Sequence, residues 1–346
     1  MRFSRFAAGL LLAGIALTAA LILVPSREQA TVEVGFNNNA VTDRVATPAQ
    51  AANLLNAVGA TIDRVQINWA SLEPAPGSYR FEPYDAIYRA DLALGVRPLF
   101  IFAYAPNWAA APGCDSEIAH CPPAPNHYRD AARTSAVIAR RYPKLAGIEI
   151  WNEPNTGYFW SPGADPAAYA ALLRASYRAI KKADPSMAVA GGSMSSSPVS
   201  GGGYLTGADF LRGIYSHGAK GAMDAVSVHA YPDPADTTAQ SAVEALEDVR
   251  RVRDEFGDTT PIWVTETGIS TTGKRAVPDR VQALVLLRLY DDLRRQSGVE
   301  MVLFHTLVEP PGPADDLETG FGIVGDHLRP KPGYCALSGA WDGRAC

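Results

Sequence analysis

The sequence of 346 residues predicts a single (β/α)₈ TIM barrel. Short apolar runs alternate with helical segments of ten or more residues, which indicates a parallel sheet with right-handed crossovers. Two of these runs end in a glutamate, Glu153 and Glu266, and a barrel brings such strand ends to one face. The alternative, an open doubly wound sheet, is disfavoured because the first strand is followed by Asn37-Asn38-Asn39 and not by a phosphate-binding loop.

The hydrophobic pattern places eight strands and eight helices. The strands are predicted at Val32–Phe36, Thr61–Asn68, Arg97–Ala103, Gly147–Trp151, Ala188–Gly191, Ala225–His229, Ile262–Thr265 and Met301–His305. The helices are predicted near Pro48–Val58, Pro83–Leu94, Tyr128–Tyr142, Pro166–Ala183, Ala208–Ser216, Ser241–Phe256, Pro278–Arg295 and after Pro332. Several begin with proline in the first turn, a position that a helix N-terminus accepts.

Glu153 lies where a buried strand stops. Pro154 lacks the N–H that a ladder needs, so the strand cannot continue beyond this point. A carboxyl group at such a strand end is partly desolvated, a setting that suits it to donate a proton near neutral pH. The alternative is a loop glutamate that follows a core strand by chance. A second strand-end glutamate, Glu266 in Pro261–Gly268, favours a functional pair.

The motif Trp-Asn-Glu-Pro-Asn at 151–155, with Trp-Val-Thr-Glu-Thr-Gly at 263–268, resembles the clan-A glycoside hydrolases, closest to families 39 and 5. The resemblance extends from about residue 34 to about residue 341. It implies a retaining hydrolase of β-linked O-glycosidic bonds in an oligosaccharide or polysaccharide, with Glu153 as acid/base and Glu266 as nucleophile. A carboxyl separation of about 5–5.5 Å is then expected. The alternative is a catalytically inactive, surface-anchored carbohydrate-binding barrel, which has no need of both glutamates.

The resemblance also implies supporting residues near the two glutamates. Arg64, inside strand two, is expected to hydrogen-bond near the nucleophile, since a buried arginine needs a carboxylate partner. The alternative is a structural pair with Asp63 or another core acid. Asn152 resembles the residue that binds the sugar 2-hydroxyl. His229 and Tyr231 lie on one side of strand six, and Tyr231 matches a tyrosine that contacts the nucleophile.

Aromatic residues supply candidate sugar contacts. Tyr104, Trp108 and Trp160 follow strands three and four, where their rings are expected either to stack on sugars or to pack within loops. His305 occupies the position on strand eight where family 5 relatives carry a tryptophan. The acidic, proline-rich segment from residue 308 to residue 318 is expected at the rim of the cleft.

The N-terminus predicts export. Arg2 and Arg5 precede Phe6–Val24, which contains no charged residue. This pattern is typical of a signal peptide, and its length also suits a retained membrane anchor. We therefore expect residues 1–30 to be a signal or anchor, residues 31–346 to be the catalytic domain, and the protein to be secreted or extracytoplasmic.

The four cysteines are expected to form two disulfides in an exported chain. Of the three possible connectivities, Cys114–Cys121 with Cys335–Cys346 closes the shortest loops. A zinc site made of Cys114, Cys121 and His120 is disfavoured because the spacing matches no common zinc pattern.

The composition restricts the partners. The formal net charge is −5 with both signs mixed along the chain, which disfavours nucleic acid as a partner. The glycine-rich segment Gly320–Gly325 lacks the strand–turn–helix context of a dinucleotide-binding loop and is interpreted as the approach to the final helix. We expect a monomer whose partner is its carbohydrate substrate, with no metal or cofactor, and membrane contact only through the possible N-terminal anchor.

Overall fold

A computed structural model describes residues 32–116, 119–196, 200–233 and 236–343. Eight parallel strands close into a barrel in sequence order, which confirms the predicted (β/α)₈ fold. The predicted signal or anchor, residues 1–30, lies outside the described residues. In the part of the chain that is described, no helix has both the length and the apolar character needed to cross a membrane.

The barrel strands are β1 (Glu33–Asn37), β2 (Ile62–Asn68), β3 (Arg97–Ala103), β4 (Gly147–Ile150), β5 (Val189–Ser195), β6 (Ala225–His229), β7 (Ile262–Glu266) and β8 (Val299–Phe304). The helices are α1 (Pro48–Val58), α2 (Trp69–Leu72), α3 (Glu82–Ala93), α4 (Tyr128–Arg141), α5 (Pro166–Ala183), α6 (Gly207–Ser216), α7 (Gln240–Glu255), α8 (Asp279–Leu293) and α9 (Pro332–Asp342). A small antiparallel pair, β9 (Val324–Gly325) and β10 (Arg329–Pro330), leads into α9, in agreement with the interpretation of the glycine-rich segment.

The predicted and observed elements differ at their ends. Strand β4 stops at Ile150 because Trp151 has a left-handed backbone, with φ of 73°, that an extended strand does not tolerate. The one-turn helix α2 was not predicted, since four residues are too few to show helical periodicity. Its start is nevertheless marked by Asn68, whose side chain accepts a hydrogen bond from the Ser71 backbone at 3.1 Å.

Two apolar layers hold the barrel together. One lies between the strands and the surrounding helices, and the other fills the lower interior of the barrel with the side chains of Ile62, Leu99, Ala146, Ala190, Ala225, Trp263, Met301 and Leu303. Trp263 needs a glycine opposite it, because a Cβ at Gly147 would lie 3.2 Å from two of its ring carbons. The interior is therefore closed from below, and only its upper end remains for polar groups.

One predicted disulfide is confirmed. Cys114 and Cys121 are bonded, with their Cα atoms 5.7 Å apart. Cys335 is also disulfide-bonded, but its predicted partner Cys346 lies outside the described residues, so that pairing stays a prediction.

Two buried carboxyl groups meet between β2 and α3. Asp63 and Asp91 are each 1% exposed, and Asp63 Oδ2 accepts a hydrogen bond from Asn38 Nδ2 at 3.3 Å. Burial and the neighbouring Asp91 raise the pKa of Asp63 well above its usual range, and burial raises the pKa of Asp91 to about 7. The pair therefore retains a proton at a pH at which the unfolded chain has lost it.

This pair makes the stability of the fold depend on pH. Because the folded-state pKa values are raised, the stabilisation is complete below about pH 4 and is lost as the pH rises towards 7. Asp63→Asn replaces the protonated carboxyl with an amide of the same shape. We expect the fall in unfolding free energy between pH 4 and pH 8 to become smaller by roughly 1–2 kcal/mol, as one pKa unit corresponds to about 1.4 kcal/mol. Denaturant unfolding at both pH values measures this, with exposed Asp315→Asn as the control. An unchanged pH dependence would show that the pair is ionised in the fold.

Candidate active site

A cleft of about 500 Å³ opens at the C-terminal ends of the barrel strands. Because all eight strands are parallel, residues that are distant in sequence meet at this end. Seven of the predicted site residues line the cleft: Arg64, Tyr104, Asn152, Glu153, Tyr231, Glu266 and His305. His229 lies fully buried beneath them and contacts both glutamates.

The two glutamates face each other across the cleft. Glu266 is the last residue of β7, and Glu153 follows β4 in a turn with positive φ at Trp151 and Glu153. One carboxylate oxygen of Glu153, one of Glu266 and a ring nitrogen of His229 lie within 4.8 Å of one another. Each glutamate side chain is 13% exposed, so both are largely desolvated but open to a small molecule in the cleft.

Arg64 connects the two halves of the site from below. Its Nε lies 2.6 Å from Glu149 Oε2, and its Nη1 lies 2.6 Å from Glu266 Oε1. Nη1 also donates to the Asn37 side chain, and Nη2 reaches Asn152 Oδ1 at 3.4 Å. The predicted contact with Glu266 is therefore present. The alternative of a core acid also holds, but that acid is Glu149 and not Asp63, which points to the opposite side of β2.

Glu149 is a site residue that the sequence analysis missed. It is fully buried in β4, where Ser193 Oγ and Thr265 Oγ1 donate to its Oε1 at 3.0 and 2.9 Å. The Arg64 guanidinium binds its second oxygen, so every oxygen of this buried carboxylate has a partner. The available signal was an acidic residue between Ile148 and Ile150 in a strand with no exposed face.

Glu266 is held in its ionised form. Burial by itself would raise its pKa, but His229, Arg64 and the Tyr231 hydroxyl act in the opposite direction and lower the pKa to about 2. Tyr231 Oη donates to Glu266 Oε2 at 2.7 Å. The pKa of Tyr231 is raised well above its usual range by burial and by the charge of Glu266, so this hydroxyl remains a donor.

Glu153 has a different environment. Its Oε1 accepts a hydrogen bond from His229 Nδ1 at 2.8 Å, whereas Arg64 contacts Glu266 and not Glu153. The ring of His229 is fixed from the other side, where Nε2 lies 3.2 Å from Ser193 Oγ. Glu266 thus contacts a permanent cation, whereas Glu153 does not and contacts the imidazole of His229.

His305 lies at the wall of the cleft after β8. Its Nε2 lies 3.1 Å from Glu318 Oε2, and its ring packs against Phe321 with centroids 5.2 Å apart. Burial lowers the pKa of His305, but the hydrogen bond to Glu318 and the charge of Glu266 outweigh this and raise the pKa above its usual value. Of the predicted rim segment, Leu317 and Glu318 line the cleft.

The structure contradicts two of the predicted sugar contacts. Trp160 is 3% exposed and packs against Trp151 and Tyr169, away from the cleft. Trp108 packs edge-on against Trp69, and its Nε1 donates to the Glu73 backbone at 3.0 Å. Both rings pack against other aromatic residues, which is the alternative that the sequence analysis considered for them.

Other aromatic residues form part of the cleft wall. His120, Tyr158 and Phe159 line the cleft beside Tyr104, and none of the three was predicted as a sugar contact. Their rings pack on one another with centroid distances between 4.7 and 5.0 Å. They lie on loops whose conformation depends on tertiary contacts, so the spacing of residues along the sequence does not predict that they line the cleft.

Among the described residues, Glu153, His229 and Glu266 form a group whose spacing would fit a metal ion. The Arg64 guanidinium already binds Glu266 at 2.6 Å and would repel a divalent cation at the same oxygen. The residues present therefore fit a pair of glutamates with a supporting imidazole better than a metal site.

The barrel and the glutamate pair define the class of the protein, a glycoside hydrolase of the clan-A type. The family follows from sequence: the model of glycosyl hydrolases family 39 matches residues 55–338, which is most of the chain. The chain belongs to glycosyl hydrolase family 39. Comparison with the curated proteins gives no match.

Solved structures share the fold. A family 39 glycoside hydrolase from Bacteroides cellulosilyticus WH2 has a TM-score of 0.74 at 22% identity, over 90% of this chain and 63% of that chain. A monomeric beta-xylosidase from Caulobacter crescentus CB15 has a TM-score of 0.63 at 24% identity, over 90% and 67%. GH5_18 from Streptomyces cattleya in complex with GlcNAc has a TM-score of 0.70 at 16% identity, over 90% and 80%. The chain thus spans about two thirds of the length of the first two proteins.

Arg64 tests the electrostatics of the site. Arg64→Met removes the cation that holds Glu266 ionised, so the pKa of Glu266 should rise. We expect kcat/KM for an aryl β-glycoside to fall by roughly 100-fold. We also expect the acidic limb of its pH profile to move to higher pH.

Two further variants make this result interpretable. Arg97→Met, which removes an exposed arginine paired with Glu33, is the matched control. Tyr231→Phe removes only the hydroxyl donor and should shift the acidic limb in the same direction by a smaller amount. A folded Arg64→Met protein with an unchanged pH profile would show that the arginine is purely structural.

Proposed function

We propose that this family 39 protein is an exported retaining glycoside hydrolase that cleaves β-linked O-glycosidic bonds by double displacement. The observation that supports retention most directly is that one carboxylate oxygen of Glu153 lies within 4.8 Å of one carboxylate oxygen of Glu266. Retaining enzymes place their carboxyl groups about 5–5.5 Å apart, whereas inverting enzymes need about 6.5–9.5 Å to accommodate a water molecule.

We assign the nucleophile to Glu266. A nucleophilic carboxylate must be ionised before the substrate arrives, and the contacts with His229, Arg64 and Tyr231 lower the pKa of this group. Arg64 and Tyr231 engage both oxygens without closing the cleft side. Glu266 then attacks the anomeric carbon and forms a covalent glycosyl-enzyme.

We assign the acid/base to Glu153. In the first step it gives a proton to the leaving oxygen, and in the second it takes a proton from the water that releases the sugar. His229, 2.8 Å away, keeps the carboxyl group oriented through both steps. Asn152 lies between Arg64 and the cleft, where its amide suits a bond to the sugar 2-hydroxyl that strengthens in the transition state.

Export is supported by the disulfide chemistry. Disulfides such as Cys114–Cys121 persist in oxidising compartments and are rare in cytosolic proteins. Together with the apolar segment Phe6–Val24, which lies outside the described residues, it favours a secreted or extracytoplasmic protein that is released or anchored by its N-terminus.

The composition of the cleft supports a carbohydrate substrate. Its walls combine aromatic faces with carboxylate and amide groups, the mixture that binds a sugar ring. A screen should begin with 4-nitrophenyl β-glycosides of xylose, glucose and N-acetylglucosamine, because solved relatives are named a beta-xylosidase and a GlcNAc complex.

The two glutamates should respond differently to removal. Glu266→Ala should lower turnover of every substrate below detection, because the covalent intermediate cannot form. Glu153→Ala should still react with 2,4-dinitrophenyl glycosides, whose leaving group needs no proton, and should accumulate the glycosyl-enzyme as a burst. Added azide should restore turnover of Glu153→Ala and give a β-glycosyl azide, measured by stopped-flow absorbance and NMR.

Exposed Glu300→Ala serves as the control for loss of a carboxylate. Azide rescue of Glu266→Ala with a retained product would reverse the two assignments. Carbohydrate binding by calorimetry without turnover of any glycoside in the screen would instead identify the inactive carbohydrate-binding barrel.

A further inference from the structure

A second hollow adjoins the cleft. It has a volume of about 440 Å³ and is lined by Asn68, Ala70 and Ser161. It shares Tyr104, His120 and Tyr158 with the cleft, so these three residues form a ridge between the two spaces. A chain of two or more sugar units bound in the cleft could therefore continue across this ridge.

His120 is the centre of the ridge. Its ring lies 4.4 Å from that of Tyr104, 4.9 Å from that of Tyr158 and 5.0 Å from that of Phe159, measured between centroids. The neighbouring Cys121 is bonded to Cys114, and its carbonyl accepts a hydrogen bond from the Ala105 backbone at 3.1 Å. The disulfide thus closes the loop that carries His120, and the backbone hydrogen bond holds this loop near the end of β3.

The hydrogen bonding of His120 leaves one nitrogen for a ligand. Its Nδ1 lies 3.3 Å from the Tyr158 carbonyl oxygen, and because a carbonyl only accepts, Nδ1 carries the hydrogen. Burial lowers the pKa of His120, so the ring is neutral near pH 7. Its Nε2 is then an acceptor, and none of the described residues donates a hydrogen bond to it.

We propose that the second hollow is a binding subsite for a further sugar unit, and that His120 Nε2 accepts a hydrogen bond from a hydroxyl of that sugar. The inference rests on the proposed function in that the ligand is a carbohydrate. It deepens that function by giving the substrate at least two sugar units, with one unit in the cleft and the next across the ridge. Asn68 and Ser161 supply additional polar side chains in the hollow.

Calorimetry can test this without turnover. In a Glu266→Gln background of the full chain, the ligands are the β-1,4-linked trisaccharides of xylose, glucose and N-acetylglucosamine, each compared with its methyl β-glycoside. We expect one trisaccharide to bind about tenfold or more tightly than its methyl glycoside. His120→Asn, whose amide can still donate to the Tyr158 carbonyl but does not reach the Nε2 position, should remove most of this advantage.

His120→Gln places an amide oxygen near the Nε2 position and should restore the advantage to within about threefold, which a merely structural role of the ring would not predict. The matched control is His217→Asn, since Nδ1 of this exposed histidine also meets a backbone carbonyl, that of Gly213, at 2.8 Å. The double variant Cys114→Ser/Cys121→Ser should weaken trisaccharide binding more than methyl glycoside binding.

The inference would be overturned if no trisaccharide bound more tightly than its methyl glycoside. Equal trisaccharide advantages in the parent, His120→Asn and His120→Gln proteins would overturn it as well. If the length-dependent binding is found but the protein with Glu266 intact hydrolyses none of the three trisaccharides, the proposed function fails while the subsite stands.

Discussion

The site depends on one buried cation. The guanidinium of Arg64 is enclosed at the top of the barrel interior and is stabilised there only because Glu149 and Glu266 lie 2.6 Å away on either side. Two carboxylates and one guanidinium leave a net negative charge, which the hydroxyls of Ser193, Thr265 and Tyr231 solvate in place of water. The fold must therefore bring several strand ends into register before any of these groups can be buried.

The apolar layer in the lower barrel interior positions these strand ends. Trp263 and the other apolar side chains fill the lower interior, which leaves no space there for the Arg64 side chain. The N–H groups of its guanidinium therefore face the glutamates. The pairing of β6 with β7 sets His229 beside Glu266. A difference between two chemically identical side chains results: Glu266 contacts the permanent charge of Arg64, whereas Glu153 does not and accepts a hydrogen bond from His229 instead.

The sequence predicted the barrel and the glutamate pair because both leave local signals, namely alternating strands and helices and a proline or glycine after each strand-end motif. It did not predict Glu149, since the identity of an arginine's partner is a tertiary property. The prediction for Trp108 and Trp160 was wrong for a related reason: an aromatic ring that packs in a loop and one that stacks on a sugar have the same sequence pattern. His120 was weighed only as a zinc ligand, although its loop places it in the cleft wall.

The central claim is that Glu266 forms a covalent bond with the substrate. Incubation with 2,4-dinitrophenyl 2-deoxy-2-fluoro-β-glycosides, which form the intermediate faster than they release it, followed by trypsin and mass spectrometry, tests this most directly. The account predicts one sugar attached to Glu266 in the peptide Asp254–Lys274. A sugar attached to Glu153 in the peptide Leu145–Arg174, or turnover of the parent glycoside with inverted configuration and no adduct, would contradict it.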